Sequence, residues 1–339
     1  KGFLLSTTAA TDVSLNINIP KAFSFGFSLG LDAYGDMNIS KDLFNFLGYG
    51  NKLNEPINVD VTGKADMFAY SSFTCGVNLN RGYYKITATG FQSLIHALCS
   101  DTTITAFNNE DGKFGYKMDG NISIFSQAPL SKDVELKIEE LLTFEKIGLD
   151  ITACVGYDVS NDLSIEGVFR FPIKPSTLDY RTDMKYNMEF ETSLDSENND
   201  TNDETDNSGL NKETTGAEID PIKVNRPMKF SISADFHPFG SILRYYGGIG
   251  VGITNPFCAQ TNRDVFFDYL VGARFSIFDI LSVSASMARS NNVYINKVNL
   301  GLSIRFVELN AGVALEGTSL AQSFRGAGLG VFINGSVGF

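Results

Sequence analysis

Apolar and polar residues alternate strictly along much of this chain. In KAFSFGFSLGLDAYGD, residues 21 to 36, the apolar positions are Phe23, Phe25, Phe27, Leu29, Leu31 and Ala33. Between them stand Ser24, Gly26, Ser28, Gly30 and Asp32. The same alternation runs through 147–159, 178–190, 298–306 and 327–339. A period of two belongs to a strand with two unlike faces.

Strands are predicted near 13–19, 22–34, 57–67, 69–79, 83–90, 113–126, 145–158, 162–173, 177–190, 223–237, 241–253, 265–278, 280–288, 293–306, 307–316 and 327–339. Many are longer than the five or six residues usual in globular sheets. A tilted strand needs about 9 to 11 residues to cross a bilayer. Alternating segments of that length, separated by turn residues, are the signature of a transmembrane barrel. The predicted fold is therefore all-β: a transmembrane, antiparallel, up-and-down β-barrel of about 14 strands, or 16 if every candidate spans. Residues 1–339 would form it as one domain, with the apolar phase toward lipid and the Ser/Gly/Asp phase toward the interior. Only helices and closed barrels keep every backbone polar group paired in hydrocarbon.

Counting back from Phe339 places 306–310, 278–280, 237–241 and 174–177 at one end as short turns. The segments 317–326, 254–264, 191–222 and 91–112 fall at the other end, which is the extracellular one if short turns are periplasmic. The same count puts 127–144 and 35–56 on the periplasmic side.

Three segments have a helical period instead. In 91–99, Phe91, Leu94, Ile95 and Leu98 recur at i, i+3, i+4 and i+7, which predicts an amphipathic helix in an outer loop. It would cap the barrel mouth or form a hydrophobic lip for an apolar ligand. In 40–49, Leu43, Phe44, Phe46 and Leu47 share a face and Ser40 is a candidate cap. By the count this helix is periplasmic and could plug the lumen. Residues 131–142 form a third candidate, although Val134, Leu136 and Ile138 also fit a strand.

Charge changes the picture in one place. The formal net charge is −12, which argues against nucleic acid as a partner. Residues 191–220 hold ten of the acidic residues and one Lys. The predicted loop 191–222 is thus solvated and too polar to bury. Charged residues on the polar strand phase are candidate lumen groups: Asp32, Lys117, Asp119, Arg170, Arg181, Asp183, Lys185, Glu189 and Arg274. They would brace a narrow barrel or set ion selectivity in a wide one.

Little else points to chemistry. His96 and His237 are the only histidines, and the barrel separates them, so neither a paired-His metal site nor a catalytic triad is predicted. GGIGVG (247–252) lies inside a strand with no helix after it, which suits barrel wall better than a nucleotide loop. Cys75, Cys99, Cys154 and Cys258 are scattered with no CxxC, so packed thiols are expected ahead of disulfides. No cofactor, metal or catalytic residue is predicted. No run of about 18 apolar residues exists for a membrane helix. KGFLLSTTAATD is too short in its apolar core for a signal peptide, so an exported protein would be in trimmed form.

The terminal GLGVFINGSVGF, ending in Phe339, resembles the carboxy-terminal signal read by the bacterial outer-membrane barrel assembly machinery. The texture of KDLFNFLGYGN (41–51) and RPMKFSISADFHPFG (226–240), with the Trp-free composition, is similar to spirochaete outer-membrane proteins of the long-chain fatty-acid transporter superfamily. That resemblance implies a fourteen-stranded barrel with an internal hatch, importing hydrophobic molecules. The Asn-Pro-Ala hatch region of that family has no counterpart in residues 1–20. The expected function is an outer-membrane channel or importer for small hydrophobic, fatty-acid-like nutrients, with outer-membrane lipid and the assembly machinery as partners. Two alternatives stand beside it. One is a surface interaction protein working through the acidic loop, with a basic or Ca²⁺-dependent partner; the other is a general porin.

Overall fold

The computed structural model describes residues 3–19, 21–49, 55–108, 113–130, 146–193, 209–258, 264–278, 280–290, 293–304, 307–317, 319–324 and 328–337. They form one antiparallel sheet of sixteen strands with two short helices, not closed by hydrogen bonds. The strands are β1 (Phe3–Asn18), β2 (Phe23–Ile39), β3 (Ile57–Leu79), β4 (Gly82–Asn108), β5 (Lys113–Ser126), β6 (Gly148–Asp158), β7 (Leu163–Lys174) and β8 (Ser176–Ser193). Then come β9 (Gly209–Val224), β10 (Met228–Phe236), β11 (Leu243–Ile253), β12 (Val265–Ile277), β13 (Leu281–Ser290), β14 (Val293–Ile304), β15 (Val307–Gly317) and β16 (Gly328–Val337). Helix α1 is Asp42–Tyr49 and α2 is Leu320–Phe324.

The apparent branching of this sheet resolves into a simple meander. β4 pairs with β6 along Gly82–Phe91 and with β5 along Ile95–Asn108. β7 pairs with β6 and β10, while β8 pairs with β5 and β9. Thus β5 and β6 are one long stave interrupted at 127–147. β7 and β8 are another, broken at Pro175, and β9 and β10 a third, broken at 225–227. Sixteen strands with three such joins make thirteen staves. All three interruptions fall at one height. Proline has no N–H to give a ladder, which accounts for breaks at Pro175 and Pro227.

The faces of the lower staves are inverted relative to a water-soluble protein. Phe23, Phe25, Phe27, Leu29 and Leu31 are exposed on the outside, while Ser24 is buried on the inside. Similar outward apolar residues recur on β1–β4, β6, β7 and β10–β16. On β7 this band runs from Ile165 to Ile173, nine residues, which matches the roughly 9 to 11 of a bilayer-crossing strand. Among the described residues, β5, β8 and β9 carry no exposed large apolar side chain. With the upper ends of β1–β4 they form a crown above the band. There the outward Val59 and Val61 of β3 are buried, where α1 lies against that strand.

Several expectations are corrected. Residues 57–79 form one strand, not two; the count of sixteen is kept because β9 was not foreseen. Residues 91–99 are strand, not helix: they continue β4 past a bulge, and their apolar spacing reflects burial of both strand faces. Of the predicted acidic loop 191–222, residues 191–193 belong to β8 and 209–222 to β9, while 194–208 lie outside the described residues. Residues 174–177 are a kink within a stave, so they are not a turn. In the count this loss is offset by that of the predicted connection between β5 and β6, so the β4–β5 connection stays at its predicted end. It is the fusion of 57–67 with 69–79 that moves α1 to the end where β11 meets β12 and β15 meets β16. Between Ser126 and Gly148, where a periplasmic connection is expected, β5 and β6 instead adjoin within one stave along β4; 131–145 lie outside the described residues. The helix near 40–49 is present, but Ser40 does not cap it: its Oγ accepts the N–H of Asp60 at 3.3 Å. The candidate helix 131–142 lies outside the described residues.

Candidate functional site

The interior is organised at three heights. At the level of the interruptions a belt of side chains crosses it. Arg226, from the break before β10, donates from Nη1 to Asp150 Oδ2 of β6 at 3.1 Å and from Nη2 to Asp32 Oδ2 of β2 at 3.2 Å. Asp32 and Arg226 lie on the second and seventh staves, so this contact spans the rolled sheet. The Asp150 side chain is 0 % exposed and that of Arg226 9 %. The Arg226 guanidinium also lies over the Tyr70 ring, 5.0 Å from its centroid.

Apolar groups complete the belt. Phe68, Phe91, Leu178 and Val224 are the buried cluster, with Tyr34 and Tyr70 packed against it. Tyr34 stacks on Phe68 at 5.7 Å, and Phe68 meets Phe91 edge-on at 5.9 Å. Above them, buried His96 Nδ1 is 2.7 Å from Asp66 Oδ1. A buried carboxylate needs such a partner, since an unpaired one costs several kcal/mol (~3–5). The 225–227 break is fastened to the 254–258 segment: Asn225 N–H donates to Asn255 Oδ1 at 3.1 Å and its side chain to Pro256 O at 2.7 Å.

Below the belt lies a cavity of about 770 Å³ whose wall mixes hydroxyl, amide and charged groups with Tyr157, Ile165, Ala234 and Leu270. It lies within the usual size range of about 300–1,000 Å³ for small-molecule sites. Arg244 is paired with Asp235, Arg274 Nη1 is 3.4 Å from Glu308 Oε1, and Tyr83 donates to Glu166. His237 is at the lower mouth, 3.0 Å from Asn161 O through Nε2. Above the belt, Lys64 Nζ of β3 reaches Asp264 Oδ2 at the head of β12, 2.8 Å away, again across the roll.

The predicted lumen charges divide among these levels. Asp32 is in the belt, and Arg170 is beside it, within electrostatic reach of Arg226, Asp150 and Asp32. Arg274 lines the lower cavity. Arg181, Asp183, Lys185 and Glu189 are in the crown, where Arg181 Nε bonds Asp183 at 2.9 Å. Lys117 and Asp119 are there too, 3.6 Å apart. The predicted lip dissolves as a unit. Phe91 and Leu94 are buried in the wall at 1 % and 2 % exposure, and Ile95 and Leu98 are half-buried in β4. The four cysteines are all free thiols, Cys258 buried and Cys75 exposed.

Sequence reasoning missed Arg226, Asp150 and the His96–Asp66 pair as partners. One signal was available. Arg226-Pro227 sits inside a segment otherwise read as continuous strand, and a proline there marks a break.

A second concavity lies on the outer face. Leu29, Leu31, Val13 and Ile147 wall a mainly apolar groove whose floor includes Ala69, Ser71 and Gly90. It follows one row of the ladder, Asp12–Gly30–Tyr70–Phe91–Gly148.

No family description, no curated protein and no solved structure matches this chain.

Proposed function

We propose that the protein is an outer-membrane β-barrel channel for small polar solutes, held shut at mid-height by the Arg226 belt. One observation carries this: a cavity with six charged side chains in its wall opens beneath ion pairs that cross the roll, inside a wall whose exposed band is apolar. A hydrophilic interior within an apolar exterior suits solute passage. The belt supplies closure because Arg226 ties together staves that are not neighbours.

Conductance of the refolded protein in planar bilayers tests this. Wild type should insert and conduct little. Arg226→Gln should raise the open conductance or its duration at least several-fold. Since that change strands Asp150 without its cation, the companion D150N/R226Q removes both charges and guards against misfolding. A silent, inserted D150N/R226Q barrel would contradict the proposal.

A hydrophobic importer akin to the long-chain fatty-acid transporter superfamily is the second reading. The apolar outer groove at Val13, Leu29, Leu31 and Ile147 favours it, with lipid-borne solutes as its ligands. Fatty-acid binding abolished by Leu29→Arg would support that reading over the first.

A further inference from the structure

The charged residues of the lower cavity are not mixed around its wall. Asp158 of β6, Glu166 of β7 and Asp235 of β10 occupy three successive staves. Arg244 of β11, Arg274 of β12 and Lys297 of β14 follow, with Ser284 and Ser286 of β13 between the last two. An acidic arc thus adjoins a basic arc around one cavity. The arcs touch at the Arg244–Asp235 ion pair between β10 and β11. Glu308 tempers the basic arc at Arg274. Lys85 bounds the acidic arc from β4, lying over the Tyr83 ring at 4.4 Å. The six lining charges sum to zero, so the cavity selects neither sign as a whole. What it presents is a field directed from one wall to the other, focused by the low-dielectric wall around it.

We infer that the lower cavity binds and favours small zwitterions, of the amino-acid class, with the ligand carboxylate toward Arg274 and Lys297 and its ammonium toward Glu166 and Asp158. A neutral polar solute gains nothing from this field, and a simple ion is attracted by one arc and repelled by the other. A molecule carrying both charges a few ångströms apart is favoured at both ends. The inference rests on the channel reading above and names its substrate class.

Four solutes of nearly equal size separate the possibilities: alanine, lactate, alaninamide and lactamide. They carry both charges, one negative, one positive and none. Swelling of proteoliposomes is measured with wild type and with D150N/R226Q. Alanine should enter about fivefold faster than lactamide, the effect expected of an ion pair between partly hydrated groups. Glu166→Gln should slow alanine and alaninamide and leave lactate unslowed or faster. Lys297→Gln should slow alanine and lactate and spare alaninamide. Equal entry of all four solutes would overturn the zwitterion inference and leave the channel intact. Entry of none of them, in either chain, would overturn the channel reading and this inference with it.

Discussion

At six positions among the described residues an aromatic ring lies against the glycine directly opposite it across the ladder. Tyr70 lies over Gly30, Phe91 over Gly148, Tyr83 over Gly156, Tyr246 over Gly272, Phe266 over Gly252 and Phe107 over Gly115. Each pair is directly opposite in register. The missing side chain leaves room for a ring to lie against the neighbouring backbone, and the ring shields the glycine. A Cβ at Gly272 would come within 2.5 Å of the Tyr246 ring. Gly272→Val should therefore destabilise the folded protein by about 1–3 kcal/mol, read as a lower urea midpoint in detergent. Gly167 has nothing within 4 Å, so Gly167→Val is the matched control and should shift the midpoint far less. Equal shifts would mean that the rings are not seated as described.

At the scale of elements, the band and the crown make different demands on the same alternation. Ile232 sits mid-strand on the outward phase of β10, opposite Ile249 and Gly167. Ile232→Arg should cost about 2–4 kcal/mol in a bilayer if that position is near its midplane. Thr62→Arg, on exposed upper β3, should change stability by less than about 0.5 kcal/mol. Folding yields into lipid vesicles would compare the two; similar losses would remove the distinction between band and crown. Most of the band was legible in the sequence, because lower strands such as β2 and β14 alternate without interruption. The crown was harder to read. β4 keeps its sheet partners through bulges near Leu94 and Thr102, and each inserted residue breaks the period of two. That turned FQSLIHALC into an apparent helix. β9 was unreadable for another reason: its Asn, Lys, Glu, Asp, Gly and Pro residues have little strand propensity, and pairing with β8 holds it in the sheet. Of the belt, Asp32 and Arg170 were legible as lumen charges but their partners were not. Asp32, Asp150 and Arg226 are brought together only by the roll of the sheet, and no local pattern encodes that.

For the whole molecule, parity is the consequential property. Thirteen staves in a meander leave β1 and β16 running in the same direction, and no hydrogen bonds join them among the described residues. Their outward residues are very exposed, Val13 at 79 % and Ile333 at 81 %. Each edge strand has one neighbour where inner strands have two. Amide exchange in detergent should therefore be faster in β1 and β16 than in β13 and β14, and uniform protection would indicate a paired seam. The ends of the molecule also differ: the connections at 237–242 and 278–280 lie opposite the crown and the longer connections.

The central claim is that the exposed apolar band lies in lipid around a polar interior. Spin labels at single cysteines, introduced along β10 and β11 of a cysteine-free chain in vesicles, test it most directly. Labels at 230, 232, 249 and 251 should be open to oxygen and closed to a water-soluble nickel relaxant. Labels at 231, 233, 248 and 250 should show the reverse. The account would be contradicted if both sets were equally open to the nickel reagent.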